Sequence, residues 1–214
     1  MKQTIKRLLL PEAGARRLPI GIGRGLRMRI DFQHQTRMYL GLYEIELNRY
    51  LRRMLAPGIT AFDVGGQHGY DALVIAKHTG APVACFECDP VCVRGMSESF
   101  TLNPHIASLI EPVEALVGED RDELGLDEWA YNVGFVPDFI KIDIDGGELA
   151  ALRSAKRILR GRHPALIVET HSRDLERACG LLLREHGYRP LVVNQRRIWP
   201  DLRPVEHNRW LVAF

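Results

Sequence analysis

The chain has no long apolar run. The longest early one, Leu8 to Pro11, is far shorter than a signal-peptide core, and no stretch approaches the roughly 20 apolar residues that span a bilayer. Cytoplasmic residence is therefore the default expectation. Cysteine is also scarce: of four, Cys85, Cys88 and Cys92 are crowded into eight residues and Cys179 stands apart, which is no disulfide framework. The crowded three have roughly ligand-like spacing, but tetrahedral zinc wants a fourth ligand and none is near in sequence. Reduced thiols at a strand end are the better reading, and no metal is assigned to them. Repeats and low-complexity tracts are absent, and apolar and charged fractions of 46% and 26% exclude disordered, collagen-like and membrane-spanning compositions. The 214 residues fit a single α/β domain.

Charge is present but unevenly placed. Residues 1–57 hold 12 Lys/Arg against 4 Asp/Glu, a balance of +8, which leaves 17 against 23, or −6, for residues 58–214. A basic head of this kind can approach phosphates, anionic lipid headgroups or nucleic acid, so peripheral contact with a membrane surface through the N-terminus is one expectation and a solvated basic face the other. The acidic body argues against a continuous nucleic-acid surface, and no nucleic-acid partner is expected.

Residues 26–32 alternate apolar and charged side chains, the period of a half-exposed strand. Gly21, Gly23 and Gly25 precede it as a turn; their spacing is not G-x-G-x-x-G, and no apolar strand leads into them. Tyr43, Leu47, Tyr50, Leu51, Met54 and Leu55 share one helical face that Pro57-Gly58 ends. Residues 1–57 thus read as an N-terminal extension packing on a domain of residues 58–214. From Ile59 onward, short apolar runs alternate with amphipathic stretches, as in a parallel sheet with crossover helices. Strands are predicted at 59–64, 82–87, 108–113, 138–143 and 165–170. A helix is predicted over 148–160, and another from an N-cap at Ser172 to a stop at Gly187. The last two runs, 189–193 and 209–214, are joined by a loop carrying Pro200 and Pro204, with no helix between them, and pair antiparallel. The fold class is Rossmann-like α/β: a mostly parallel seven-stranded sheet with an antiparallel C-terminal strand and helices on both faces.

Four segments carry candidate chemistry. In Asp63-Val64-Gly65-Gly66-Gln67-His68-Gly69, an apolar strand turns through glycines into a helix whose start offers N–H groups to an anion. A dinucleotide enzyme would have G-x-G-x-x-G here, and an acid at the strand tip would repel a pyrophosphate. Asp63 tolerates a cationic zwitterion instead, a description that the sulfonium and ammonium groups of S-adenosylmethionine (SAM) fit. Glu87 ends the next strand about 20 residues on, where an acid can accept from both hydroxyls of a ribose. Asp89 competes for that role, and Cys88 beside Glu87 and Glu114 after the third strand complete the expected cofactor surround. Asp143, Asp145 and Glu148 follow the fourth strand, and an acid in a helix's first turn, as Glu148 is, is favoured by the macrodipole without any function. Glu169 and His171 close the fifth strand. Asp143, Asp145, Glu169 and His171 converge on one cleft mouth as either a general base or hard-metal ligands, a choice the sequence leaves open.

These residues resemble the FkbM-type methyltransferases, a branch of the class I SAM-dependent enzymes. The resemblance rests on Gly41-x-Tyr43-Glu44-x-Glu46, on Asp63-Val64-Gly65-Gly66 with Gly69-Tyr70, and on Lys141-Ile142-Asp143-Ile144-Asp145-Gly146-Gly147-Glu148-Leu149 with Pro164 to Glu169. It spans roughly residues 38–214. Gly66-Gln67 stands where the family usually shows Ala-Asn, and Asp145 where it usually shows Glu. The resemblance implies SAM as cofactor and O-methylation of a sugar, glycolipid or polyketide-like acceptor. Asp63, Gly65, Gly66, Gln67, Gly69, Glu87, Cys88, Glu114 and Asp143 are the expected cofactor contacts. His171 or Asp143 is the expected base, with Glu169 orienting it. A nucleic-acid methyltransferase and a nicotinamide-dependent oxidoreductase are the alternatives.

Overall fold

A computed structural model describes residues 12–196 and 208–214; the Pro200–Pro204 loop and the Leu8–Pro11 run lie outside the described residues. Strands β1 (Gly14–Arg17) and β2 (Arg27–Ile30) form an antiparallel hairpin across the glycine-rich turn. Gly21 and Gly25 adopt positive φ there, so these glycines serve the turn. A short helix α1 (Thr36–Tyr39), a 3-10 turn (Ile45–Leu47) and α2 (Asn48–Met54) complete this segment. The expected helical face therefore begins two residues after Tyr43.

The main sheet follows from the apolar runs: β3 (Ala61–Val64), β4 (Val83–Glu87), β5 (Ile110–Glu114), β6 (Phe139–Ile142), β7 (Ala165–Thr170), β8 (Leu191–Val193) and β9 (Arg209–Ala213). Their order is β5-β4-β3-β6-β7-β9-β8, all parallel through β7, with β9 antiparallel to both of its neighbours. Helices α3 (Tyr70–Thr79), α4 (Pro90–Thr101), α5 (Pro104–Ala107), α6 (Leu126–Val133), α7 (Glu148–Ser154), α8 (Lys156–Gly161) and α9 (Arg173–Glu185) cover it. The helix expected over 148–160 is two, broken at Ala155. Asp127 is the local reason: its carboxylate accepts from the amides of Arg157 and Ile158, as an external cap would for the first turn of a new helix. Ser172 caps α9 as expected, its hydroxyl accepting from Leu175 N–H. No helix among the described residues is long and apolar enough to cross a membrane.

Side chains alternate between the two faces of the central strands. Phe62, Val64, Ala84, Phe86, Ile140 and Ile142 pack on one face, with α6 to α9. Ala61, Val83, Cys85, Phe139 and Ile167 pack on the other, with α3 and with Leu18, Leu26, Met28, Leu47 and Leu51 of the N-terminal segment. The strand order reverses between β3 and β6, and in open α/β sheets ligands bind at that point, beyond the carboxyl ends of the strands.

Candidate active site

The β3 tip and the glycine turn are drawn tightly onto the protein itself. Gly65 has φ +92°, and a Cβ there would lie 1.9 Å from the Asp143 carbonyl oxygen; one on Gly66 would lie 2.2 Å from Cys85 Sγ. The missing side chains thus allow the loop to seat against β6 and β4. The amides of Gly65 and Gly66 donate to Phe86 O, and that of Gly69 to Gly66 O. Gln67 N–H donates to Glu87 Oε2 at 2.8 Å. An anionic ligand group would meet the first amides of α3, from Tyr70 on, which an α-helix leaves without partners.

Glu87 is nearly fully buried at the end of β4, and its Oε1 accepts from Cys88 and Asp89 N–H at 2.9 and 2.8 Å. The carboxylate is fixed by three backbone donors and keeps acceptor capacity for a hydroxyl pair, since two oxygens offer about four lone-pair sites. Asp89 is instead the N-cap of α4, accepting from Val91 N–H. Register sets Glu114, which is exposed, beside Glu87 across β4 and β5. Cys88 and Gln67 are exposed at the same end of the sheet. Cys85, Cys88, Cys92 and Cys179 are free thiols, and no candidate metal group among the described residues includes them.

Asp63 is buried under this turn. Burial, with the Asp71 charge adding to it and the Lys141 ammonium opposing it, pushes its carboxyl up to about 7. Its Oδ2 accepts from the Cys85 thiol, while Oδ1 has no hydrogen-bond partner among the described residues. A folded-state value above the ordinary one of 3.8 means that Asp63 binds its proton more tightly folded than unfolded. Its contribution to stability is thus present below pH 4 and is lost as pH rises through about 7. Asp63→Asn removes that titration, so it is expected to flatten the decline in stability between pH 5 and 8, as read by urea unfolding at each pH.

A sequence reading missed Lys141 as the centre of a charge cluster. It is buried in β6, and its Nζ lies 2.7 Å from Asp71 Oδ2, 3.3 Å from Glu44 Oε2 and 3.4 Å from Asp143 Oδ2. Burial pulls its pKa down, but Asp71, Glu44 and Asp143 outweigh that and hold the ammonium protonated. Burial pushes the Glu44 carboxyl well up, against the pull of Lys141.

Beyond the β6 and β7 tips the expected group does converge. His171 Nε2 is 2.9 Å from Asp145 Oδ1 and 3.7 Å from both Asp143 Oδ1 and Glu169 Oε1. The orienting contact comes from Glu148 rather than Glu169: the fully buried Glu148 Oε1 accepts from His171 N–H at 3.0 Å and lies 2.7 Å from His171 Nδ1. Glu169, also fully buried, accepts from Trp210 Nε1 at 3.1 Å, and 3.7 Å is too long for a hydrogen bond to the imidazole. Burial lowers the His171 pKa, yet the hydrogen bond to Glu148 and the charges of Asp143, Glu148 and Asp145 raise it overall. The position of Glu148 in the first turn of α7 gave no sign of this role, because α7 and the end of β7 meet only in the folded chain.

Comparison with known proteins adds to this geometry. Residues 96–190 match the family model of the methyltransferase FkbM domain. No curated protein sequence matches the chain. Among solved structures, an FkbM methyltransferase from Methylobacillus flagellatus aligns with TM-score 0.56 at 20% identity, over 73% of this chain and 44% of that one, so this chain spans less than half of its length. A ribosomal protein L11 methylase from Lactobacillus delbrueckii subsp. bulgaricus aligns with TM-score 0.59 at 15% identity, over 81% of this chain and 78% of that one. The fibrillarin of Aeropyrum pernix, solved with natively bound SAM, aligns with TM-score 0.54 at 15% identity, over 75% and 68%. At such identities the structural matches speak for the fold, and the domain matched over residues 96–190 is a methyltransferase domain rather than a nicotinamide-binding one. Over residues 96–190 the chain is thus similar to the methyltransferase FkbM domain, and its fold is that of the class I methyltransferases.

Proposed function

We propose that the enzyme methylates a hydroxyl oxygen of a sugar, glycolipid or polyketide-like small molecule. The observation that carries this reading is the acid–imidazole group at the β6 and β7 tips, next to the turn where Glu87 and the start of α3 would hold the cofactor. When bound, SAM supplies a methyl group on a sulfonium, which an acceptor oxygen displaces in line while the C–S electron pair leaves with neutral sulfur.

The residues that would hold it fit its chemistry. Glu87 offers an anchored carboxylate to the ribose hydroxyls, Gln67 stands exposed at the rim, and the unpartnered Asp63 Oδ1 marks a buried acceptor close to where a cationic ligand would be favoured. Positioning the two reactants supplies most of the acceleration. The remaining task is the hydroxyl proton, because an alcohol is a weak nucleophile at neutral pH. The Asp143, Asp145 and His171 group takes that proton, with Glu148 holding the imidazole ring in one orientation. Within residues 12–57, Glu44 meets Lys141 and Tyr43 meets Tyr70 with ring centroids 5.6 Å apart, which supports placing this segment on the acceptor side.

The test is transfer of a labelled methyl group from SAM to small-molecule and lipid extracts of the producing cell, with the product's methyl position determined by NMR. An O-methyl ether is expected. Label found only in RNA, DNA or protein, or at carbon or nitrogen, would overturn this reading.

A further inference from the structure

We propose that the side-chain amide of Asn208 binds the methyl acceptor, accepting from one and donating to the other of two adjacent hydroxyls. The binding of an acceptor there rests on the methyl transfer proposed above.

Asn208 is 9% exposed, and neither its Oδ1 nor its Nδ2 has a hydrogen-bond partner among the described residues. A buried amide without partners is costly, and native structures keep few such groups.

The sheet sets this amide at the ligand end. Strand β9 runs antiparallel to β7, with Glu169 opposite Trp210 and Thr170 opposite Arg209 as the last pair. Thr170 Oγ1 also donates to Arg209 O at 3.0 Å, which ties the two strands together at that end. Asn208 therefore precedes β9 at the level where His171 follows β7, one strand spacing across the sheet.

The pleat gives its direction. Arg209 reaches α9, with Nη2 2.5 Å from Glu176 Oε1, whereas Trp210 and Val212 pack on the opposite face with the N-terminal segment. Alternation puts Asn208 on the face of Trp210. On β7 that face carries Ile167 and Glu169, whose Oε2 accepts from Trp210 Nε1 at 3.1 Å. On β6 it carries Phe139 and Lys141, and the latter meets Glu44 of the N-terminal segment. Asp143 and His171 continue the same alternation, so the unpartnered amide shares their side of the cleft. Glu46 binds Arg196, three residues after β8, at 2.9 Å, which brings the N-terminal segment to this end of the same sheet.

An amide sets an accepting oxygen beside a donating nitrogen, and a hydroxyl can do either. Two neighbouring hydroxyls, as on a sugar ring, satisfy both atoms at once. An adjoining hydroxyl of the same molecule is then presented to His171 and Asp143. An acceptor with one hydroxyl would leave half of the amide unpaired, and a site that strands its own buried polar groups rejects such an analogue.

The experiment measures labelled methyl transfer from SAM to a dilution series of the cell's small-molecule and lipid extract, which gives the amount that half-saturates the full-length chain. Asn208→Ala should raise that amount about 10- to 100-fold and leave SAM affinity by isothermal titration unchanged. Asn208→Asp, which keeps the shape and the accepting oxygen but loses the donor, should raise it too. Because the amide has no partner among the described residues, Asn208→Ala should shift Tm by less than about 4 °C. A larger fall would assign the amide to the fold and overturn the proposal. Periodate cleaves carbon chains between adjacent hydroxyls, so oxidising the extract beforehand should abolish its acceptor activity. Half-saturation unchanged in both variants, or full acceptor activity after periodate, overturns the assignment of Asn208 and leaves the proposed function standing. No transfer from SAM by the unaltered protein overturns both.

Discussion

Replacing His171 with alanine, or Asp143 with asparagine, should lower turnover by about 10²- to 10⁴-fold, the range over which positioned proton-transfer groups act. SAM affinity should stay near that of the unaltered protein, because Glu87, Gln67 and the start of α3 lie across the switch point, on the β3 and β4 side. The geometry makes both residues hard to replace. His171 is held at both ring nitrogens, by Glu148 at 2.7 Å and Asp145 at 2.9 Å, so no neighbouring side chain can take its place without losing those contacts. Asp143 lies between His171 and Lys141, and its amide hydrogen-bonds to Val64 O, which ties its position to the β3 tip. Single-turnover methyl transfer beside equilibrium SAM binding checks the split. Full activity in His171→Ala would remove the imidazole from the chemistry, and parallel loss of SAM binding would assign it to the cofactor.

The largest expected effect on stability belongs to Lys141. Lys141→Met keeps an unbranched side chain in β6 but removes the ammonium that Glu44, Asp71 and Asp143 share. Removing one partner from a buried charge group costs about 3–5 kcal/mol, chiefly through the charge left behind. For a chain of this size that corresponds to a fall in Tm of roughly 6–20 °C. The loss has a pH signature. Without the ammonium, which holds the Glu44 pKa down, Glu44 binds its proton still more tightly in the folded state, and a raised folded-state pKa contributes stability at low pH that is lost as pH rises. The variant should therefore be closer to the unaltered protein at pH 5 than at pH 8, in thermal unfolding followed by circular dichroism. An equal deficit at both values would mean that packing, not charge, sets the cost.

How much of this was legible in the sequence depends on how far apart the interacting residues are. Strands β3 to β7 could be read because each is a short apolar run between helical stretches, and the closing antiparallel pair followed from the want of a crossover helix. The Asp143, Asp145, Glu169 and His171 convergence was also legible, because adjacent parallel strands deliver their carboxyl ends to one place. Lys141 carried a signal that went unused: a lysine between Ile140 and Ile142 in a central strand must find partners. Their identity was out of reach, since Asp71 and Glu44 come from other elements 70 and 97 positions away. Glu148 was hidden differently. A helix's first turn favours an acid anyway, so the local explanation sufficed until the fold brought His171 onto it. The glycine turn shows a related ambiguity: small residues were read as room for a ligand, and part of that room is filled by Asp143 O and Cys85 Sγ.

Methyl transfer by this chain requires the β3 and β4 tips to hold SAM. Isothermal titration of the full-length chain with SAM tests this most directly, with Glu87→Gln alongside. Saturable binding is expected, weakened about 10- to 100-fold by Glu87→Gln through loss of a charged hydrogen-bond acceptor worth about 1.5–3 kcal/mol. No binding to the unaltered chain, or equal affinity in the two proteins, would contradict it.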